Sequence, residues 1–466
     1  MADNKKEIKV DHNYKRFQSI STVVILLAVI VIVAILVLTR FINGKAGISK
    51  VDVDRLSTAI TDDINRVEEV TSWVDVENKK LNLPEELVDN TDLIGINERN
   101  AALLTQAAAG ADKQTSNFMV SPVGLDAMLQ MAQYGAAGDT LEQLKSFVGS
   151  TELDLDSEAV NSANIVAVNM QDSRVRIKDA YRSLLENSEN IRASIEEVTS
   201  ANKMTLADKL NNQISELTNG QITSPIASDT FTQENFIALL VNVLHFKGTW
   251  ADVTETGYQT EDNFEFKTVD GEKLMVPAVC MTGNSRTNSI RYYTTPTVKA
   301  FSVDYAEDEG RYRFYGFLPN KDGEIRLSDL DLTNLKEPKD GAEKYFVDVR
   351  IPKFKFDSST TLNDTLKGLG LTDMFDSTKA DFSEGFEVAD GYNVYFSLVK
   401  QDTAIDFNEK GTEASAVTQG MMEVTSAVQQ VPETYELNFD RPFLFMIYDT
   451  QLSKPLFVGQ VYNPAE

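Results

Sequence analysis

Residues that could do covalent or acid–base chemistry are scarce in this chain of 466 residues, which has two histidines and one cysteine. A Ser-His-Asp or Cys-His arrangement would need His245, because His12 lies in a polar N-terminal tail. His245 stands in LLVNVLHFKGTW, a predicted strand, so we expect it to be packed. The chain has no CxxC, HExxH or Walker-type loop, and the sequence therefore predicts no metal and no cofactor. We predict that the protein is not an enzyme, although its 71 acidic residues leave a hydrolytic Asp/Glu pair open.

The stretch Glu409–Pro442 has an unusual composition for a connection between strands. It follows a predicted strand, Asn393–Phe407, and precedes two more, Phe443–Tyr448 and Pro455–Val461. A connection of this length inside a compact domain is either functional or disordered. Small residues occupy alternate positions in its first half, as in a β-strand that presents one face without bulk. The stretch therefore reads as a strand that lacks a sheet partner, and the residues of that face are Thr412, Ala414, Ala416, Thr418 and Gly420.

Several motifs resemble those of the serpins, the serine protease inhibitors. GTEASAVT, which begins at Gly411, is similar to the hinge of the serpin reactive-centre loop. LNFDRPFLFMIYDTQLSKPLFVGQVYNP, which begins at Leu437, resembles the family signature after that loop. FKGTW, which ends at Trp250, resembles the end of a central-sheet strand, and TNGQI at Thr218 resembles a serpin turn. The resemblance extends from about Leu93 to the end of the chain.

The resemblance implies an α+β serpin fold with three β-sheets, about eight or nine helices and an exposed reactive-centre loop. Within that frame the sequence predicts one strand over Tyr345–Phe356, which alternates cleanly. Asp270-Gly271 is predicted as a two-residue hairpin turn. Thr140 is predicted as the N-cap of a helix that follows the turn at Gly138.

The resemblance also implies how the loop would act. In serpins a protease attacks the exposed loop, and the cut loop inserts into the central sheet as an extra strand. Insertion must be faster than hydrolysis, so the hinge needs small residues on its buried face, while Glu413 and Ser415 would face outward. The predicted hinge residues are Glu409, Gly411, Thr412, Glu413, Ala414, Ser415 and Ala416.

A second group of residues resembles the serpin region where the central sheet opens. Serpins often have a histidine in the strand before the hinge, at the position of Gln401 here. Glutamine can both donate and accept hydrogen bonds, so the cluster can survive the change. The predicted sheet-opening residues are Ser121, Pro122, Asn242 and Gln401, and Trp250 is predicted to lie where the loop enters the sheet.

The bond that a protease would attack follows from the hinge. With the spacing that inhibitory serpins usually keep, the scissile bond is Thr425-Ser426. The bonds after Met422 and Val424 stay open as alternatives, and counting back from the end of the loop gives Val431 instead. A Thr or Val at this position suits the small apolar pocket of elastase-like or subtilisin-like proteases. The alternative is a non-inhibitory binding protein with the serpin fold.

The N-terminal segment predicts a membrane anchor. Ile20–Thr39 (ISTVVILLAVIVIVAILVLT) has no charged residue over a length that can span a bilayer. It lacks a clear cleavage site, which favours an uncleaved signal anchor over a cleaved signal peptide. The basic flank favours a cytoplasmic N-terminus. We expect residues 1–19 to be a cytoplasmic tail, 20–39 the transmembrane segment, 40–92 a helical stalk or linker, and 93–466 an extracellular serpin domain at the cell membrane.

Composition limits the partners. The formal net charge of −27 argues against nucleic acid, whose phosphates need clustered Lys and Arg, and is explained by solubility. Cys280 is the only cysteine, so no internal disulfide can form. A secreted domain without disulfides is more typical of a bacterial surface protein. We therefore expect a monomeric inhibitor domain whose partner is a serine protease, bound through a covalent acyl linkage.

Overall fold

The computed structural model describes most of the predicted globular domain. The predicted tail, anchor and stalk lie outside the described residues, as do residues 93–115 of the predicted domain and residues 413–432 of the predicted loop. Among the helices of the described part of the chain, none is both long and apolar enough to cross a membrane. The described residues are 116–148, 153–155, 157–171, 174–251, 257–284, 290–320, 345–412 and 433–465.

A seven-stranded sheet forms the centre of the fold. The strands predicted around His245 and before the hinge are both present, as Ala238–Phe246 and Leu398–Asn408, and the first is buried along its whole length. The strands are β2 (Val160–Asn169), β4 (Ala193–Val198), β5 (Ala238–Phe246), β6 (Gly248–Thr249), β13 (Phe354–Thr361), β15 (Leu398–Asn408) and β16 (Gly411–Thr412). Their order is β4-β2-β5-β15-β16-β6, and β13 pairs with β15.

Three further sheets surround the central one. The six-stranded sheet, in the order β1-β19-β18-β11-β10-β9, contains β1 (Phe118–Val120), β9 (Arg291–Thr294), β10 (Val298–Asp304), β11 (Tyr312–Pro319), β18 (Phe443–Asp449) and β19 (Lys454–Val461). The four-stranded sheet, in the order β17-β12-β8-β7, contains β7 (Gln259–Lys267), β8 (Lys273–Asn284), β12 (Phe346–Pro352) and β17 (Thr434–Asn438). A two-stranded sheet pairs β3 (Val175–Ile177) with β14 (Phe386–Val388).

Five α-helices lie in the described residues, with four short 3-10 helices, so the predicted helix number for the whole chain stays a prediction. Ser121 caps the first helix, because its hydroxyl accepts a hydrogen bond from the Gly124 amide. The N-cap prediction for Thr140 is wrong: the second helix begins at Gly138, and the Thr140 hydroxyl accepts from the Asp381 amide instead. The helices are α1 (Pro122–Gly135), α2 (Gly138–Val148), α3 (Asp179–Glu186), α4 (Leu206–Leu217) and α5 (Asn363–Gly368).

The stretch Tyr345–Phe356 is not one strand but two strands in different sheets. β12 ends at Pro352 and β13 begins at Phe354, so one residue, Lys353, joins the four-stranded sheet to the central sheet. Pro352 has no amide hydrogen to donate, but the Lys353 amide still donates to the carbonyl of Pro277 in β8, so the backbone changes sheets directly after Lys353. The alternating apolar residues stand at odd positions up to Ile351 and at even positions from Phe354, so the pattern shifts by one residue at the break. The prediction of a single strand overlooked that shift.

Two other predicted limits are corrected. β15 begins at Leu398 and not at Asn393. The hairpin between β7 and β8 is present, but its connection runs from Thr268 to Glu272 and is closed by a bond from the Thr268 amide to the Glu272 carbonyl. Gly271 has a φ of 82° in this turn, so the left-handed position that a glycine favours is where the sequence placed it.

The core lies on both faces of the central sheet. On the inner face, β15 contributes Val399, Ile405 and Phe407 to a large cluster shared with the six-stranded sheet. On the outer face, α4 and residues 218–236 cover the sheet, with Leu210, Phe231 and other apolar side chains buried against β2 and β5. The two faces alternate along each strand, as the pleat requires.

Candidate functional site

A fork in the central sheet is the candidate functional site. β5 and β15 pair directly as parallel strands, from Leu239 opposite Leu398 up to His245 opposite Ala404. We call this parallel pair the seam. Beyond it, β16 lies between β15 and β6 and is antiparallel to both. An additional strand therefore starts beyond the end of the seam at His245 and Ala404, which we call its upper end. That strand can continue only if β5 and β15 separate.

The hinge residue Thr412 already occupies a position in this sheet. Thr412 lies opposite Phe407 on one side and Gly248 on the other, and its side chain is buried. Its hydroxyl forms a 2.7 Å hydrogen bond with the hydroxyl of Tyr305. Burial raises the pKa of Tyr305 far above its usual range, so this phenol is neutral and can donate. The predicted loop is thus anchored inside the sheet through Thr412, which the sequence did not indicate.

Gly411 shows why a glycine stands at the start of the hinge. Its φ is 153°, and a Cβ built there would lie 1.9 Å from the carbonyl oxygen of Gly248. A contact under 3.0 Å with backbone cannot be relieved by rotating a side chain. The close approach of the two glycine backbones is therefore possible only because Gly411 has no side chain.

Trp250 lies beneath the described hinge residues at the turn into β16. Its indole stacks on the Tyr305 ring with centroids 4.7 Å apart and contacts Phe407 edge-on at 5.4 Å. The indole Nε1 donates to the carbonyl of Asn408 at 3.1 Å, and the Trp250 amide donates to the carbonyl of Lys410 at 3.0 Å. Trp250 therefore holds the end of β15 through its indole and the turn into β16 through its backbone amide.

Glu409 is held at the turn by an ion pair. Its carboxylate lies 2.7 Å from the ammonium of Lys353, the residue that joins β12 to β13. Burial raises the pKa of Glu409, but the hydrogen bond from Lys353 and the charges of Lys353 and Lys410 outweigh that effect, and the pKa lies below its ordinary value. The carboxylate is therefore charged at neutral pH.

A buried hydrogen-bond network crosses the seam in its middle. The Gln401 side chain accepts from the Ser121 amide at 2.7 Å and donates to the Ser121 carbonyl and to Asn242 Oδ1, both at 2.9 Å. Asn242 in turn donates to Asn164 Oδ1 at 2.9 Å. The side chain of Gln401 in β15 thus bonds across the seam to Asn242 of β5 and to the N-cap residue of α1.

Two further contacts fix this region. A Cβ on Gly124 would lie 2.2 Å from Asn242 Oδ1, so α1 approaches the network closely because that position is a glycine. On the other side, the Thr403 hydroxyl donates to the carbonyl of Met119, and the Met119 amide donates to the hydroxyl of Ser358. β15, β13 and β1 are therefore connected by side chain to backbone bonds beneath the sheet.

The structure brings most of the described predicted residues together in two groups. Gln401, Asn242 and Ser121 share one network, and Pro122 begins the helix above it. Glu409, Gly411, Thr412 and Trp250 form the second group at the upper end of the seam. Glu413, Ala414, Ser415, Ala416, Thr425 and Ser426 lie outside the described residues, and their roles stay predictions.

Three residues of the site were missed. Tyr305 and Lys353 gave no signal, because each stands in an ordinary strand-like pattern. Asn164 did give one, since it is a polar residue in the apolar run that forms β2, and a fully buried Asn requires partners. His245 is buried in β5 with 1% exposure, in the packed position expected of it. No three His, Cys, Asp or Glu side chains within the described ranges are placed to hold a metal ion.

Comparisons with known proteins agree with this geometry. The sequence model of the family described as "Serpin (serine protease inhibitor)" matches residues 97–464. Serpin-Z10 of Arabidopsis thaliana is 28% identical over 396 residues, covering 78% of this chain and 96% of that protein. A relative from Oryza sativa subsp. japonica, named "Putative non-inhibitory serpin-10", is 27% identical over 392 residues. That alignment covers 77% of this chain and 97% of the rice protein. The native structure of tengpin, a thermophilic serpin, superposes with a TM-score of 0.62 at 25% identity, over 79% of this chain and 95% of that chain.

Proposed function

The chain belongs to the serpin family, and on that premise we propose that it inhibits serine proteases as a suicide substrate. The family is one of protease inhibitors and not of enzymes. The observation that carries the proposal is β16, a strand of two residues that is antiparallel to both of its neighbours at the upper end of the seam. A strand that has begun there needs only the separation of β5 and β15 to continue.

The free-energy difference that drives insertion follows from the pairing. In the intact chain β5 and β15 form a parallel ladder, which is slightly less stable per residue than an antiparallel one. A strand inserted between them would be antiparallel to both and would form two ladders in place of one. The inward positions after Thr412 are Ala414 and Ala416, small enough to enter the same core. The intact state would therefore be kinetically trapped above a more stable inserted state.

The chemistry belongs to the target protease. Its serine oxygen attacks the carbonyl carbon of Thr425, the peptide bond to Ser426 breaks, and the amine of Ser426 leaves with the proton. The hinge side is then free to insert while the acyl ester still joins it to the protease. Displacement of the protease distorts its active site and stops hydrolysis of the ester. The small residue at Thr425 favours elastase-like or subtilisin-like targets.

A non-inhibitory binding protein with the same fold is the second candidate, and the name of the rice relative supports it. The hinge of this chain favours inhibition, since Gly411, Thr412, Ala414 and Ala416 carry no bulk or charge. Incubation with elastase separates the two candidates. An inhibitor gives a complex that survives boiling in SDS, whereas a binding protein gives only clipped chain.

A pair of variants tests insertion itself. Thr412→Arg places a long cation in the buried position beside Tyr305 and should turn the inhibitor into a substrate. Glu413→Arg is the matched control, because its side chain is expected on the opposite face of the strand. Loss of the complex in both variants, or in neither, would contradict the proposed insertion. Mass spectrometry of the fragment released on acylation identifies the attacked bond.

The proposed location is the cell surface, with Ile20–Thr39 as the anchor and the serpin domain outside. The uncharged run of this segment and its basic flank support the proposal. Membrane fractionation of the full chain tests it: the chain should resist extraction by alkaline carbonate, and a variant without residues 1–40 should not. A bacterial source stays a prediction; the relatives reported above are from plants.

A further inference from the structure

The outer cover of the central sheet, α4 with residues 218–236, packs mainly on one side of the seam. The apolar cluster beneath it includes Ile165 and Ala167 from β2 and three residues of β5, but from β15 only Ala404 is buried there and Leu398 partly so. The cover is one unit, because Asn211 of α4 exchanges two hydrogen bonds with the backbone of Ile226. We therefore expect the cover to stay with β2 and β5 when β15 moves away.

One side chain of β15 crosses to this cover. The Lys400 ammonium donates a hydrogen bond to the carbonyl of Pro225, which is buried in the cover. The same ammonium lies 3.3 Å from Asp402 Oδ1. The two side chains are 20% and 5% exposed, so their charges are largely removed from water. Between Lys400 and Asp402 stands Gln401, which points to the opposite face and bonds to the network described above.

Asp402 has few other polar neighbours. Its Oδ2 is buried without a hydrogen-bond partner in the described residues. β13 contributes Ser359 and the carboxylate of Asp357, and β5 contributes only Val243 opposite. Burial raises the pKa of Asp402, while Lys400 and the nearby Ser359 hydroxyl act in the other direction. Among the described residues, Lys400 is the cation that compensates this buried carboxylate. Asp402 therefore holds the Lys400 ammonium in place, because separating the pair would leave a buried charge unpaired.

We propose that Lys400, positioned by Asp402, latches β15 to the cover and sets the rate at which the seam opens. Insertion of a strand moves β15 from β5 by one strand spacing, about 4.8 Å. A hydrogen bond cannot stretch over that distance, so the bond from Lys400 to Pro225 must break if the cover stays with β5. Lys400 and Asp402 are positioning residues in this account, since neither would touch the protease. The latch rests on the proposed function.

The test measures seam opening without a protease. A labelled peptide with the sequence of residues 411–424 (GTEASAVTQGMMEV) is incubated with the full chain, and its uptake is followed by native electrophoresis. Lys400→Met keeps the length of the side chain and removes the charge. A lost hydrogen bond to a charged group corresponds to uptake about tenfold to a hundredfold faster. Asp402→Asn should accelerate uptake in the same direction and provides a second variant if Lys400→Met folds poorly.

Lys355→Met is the matched control. Lys355 of β13 also pairs with a carboxylate of β15, Asp406 at 2.8 Å, but both partners move together when the seam opens. Uptake by this variant should equal that of the unchanged chain. A latch that only stabilises the fold would lower the melting temperature without changing uptake, and that result overturns the proposal.

The outcomes separate the latch from the proposed function. If the unchanged chain takes up peptide and traps elastase, and Lys400→Met takes up peptide at the same rate, the latch alone is wrong. Equal acceleration by Lys355→Met leads to the same conclusion. If the unchanged chain neither takes up peptide nor traps elastase, the proposed function is wrong and the latch falls with it.

Discussion

The network around Gln401 allows a quantitative prediction. Gln401→Met keeps the approximate shape of the side chain but removes three hydrogen bonds. The buried Ser121 amide, Ser121 carbonyl and Asn242 Oδ1 each lose their bond to the Gln401 side chain. A buried polar group left without a partner costs about 1–3 kcal/mol. Three such groups should lower the free energy of unfolding of the intact chain by about 3 kcal/mol or more, and its melting temperature by roughly 5 °C.

The assay compares two forms of the same variant. Intact chain and chain cleaved within residues 413–432 are melted side by side, with circular dichroism as the signal. In the cleaved form an inserted strand would separate Gln401 from Asn242, so the substitution should cost less there than in the intact form. The unchanged chain should itself melt at a higher temperature once cleaved.

A control and a refuting result complete the design. Gln143 of α2 accepts hydrogen bonds from the Thr372 and Asp373 amides, and none of these three residues belongs to a strand of the central sheet, so Gln143→Met should affect both forms equally. If Gln401→Met also destabilises intact and cleaved chain by the same amount, the network does not hold the seam. Gln401→His, which can both donate and accept, should retain most of the stability.

Three further predictions concern the hinge. Tyr305→Phe and Thr412→Val should each lower the free energy of unfolding of the intact chain by about 1 kcal/mol. In a double-mutant cycle measured by urea unfolding, the coupling free energy between the two substitutions should be of similar size, and a coupling near zero would contradict the 2.7 Å hydrogen bond. Gly411→Ala should release β16, seen as faster amide hydrogen exchange at Thr412, whereas Gly271→Ala, where φ is also positive but no atom lies within 4 Å, should leave that exchange unchanged. The pKa of Glu409 is lowered in the folded chain, so its contribution to stability is present above the unfolded pKa and is lost as the pH falls through the lower, folded value. The stability difference between the unchanged chain and Glu409→Gln should therefore shrink as the pH falls below the ordinary pKa of a glutamate, about 4.3, and a difference that grows on acidification would refute the assignment.

Some elements and residues of the site could be predicted from the sequence alone, because the residue types there have a single physical explanation. The apolar run around His245 predicted a packed strand, and β5 is buried along its whole length. Asn242 and Gln401 were predicted to belong together, and their side chains do bond across the seam. In each case the local requirement and the tertiary position coincide.

The rest depended on partners that are distant along the chain. Nothing in the sequence placed the hydroxyl of Tyr305 against Thr412, because the two residues meet only through the pairing of β16 with β6. The division of Tyr345–Phe356 was missed because the apolar alternation shifts by only one residue, between Ile351 and Phe354, and the two halves pair with different strands, β8 and β15. The entry of Thr412 into the sheet was missed because the hinge was treated as wholly external.

The single residue between β12 and β13 has a mechanical consequence. Any lateral shift of β15 carries β13 with it, because the two form an eight-residue antiparallel ladder from Phe354 to Thr361. No loop separates β13 from β12 to absorb that displacement, and β12 is paired in parallel with β17, which starts at Thr434 just after the cleavable segment. Residues 413–432 are thus flanked by β15 and β17, which pair with β13 and β12, two strands joined by one residue. Movement of β15 away from β5 would therefore be transmitted through β13 and β12 to β17 at the other end of the segment.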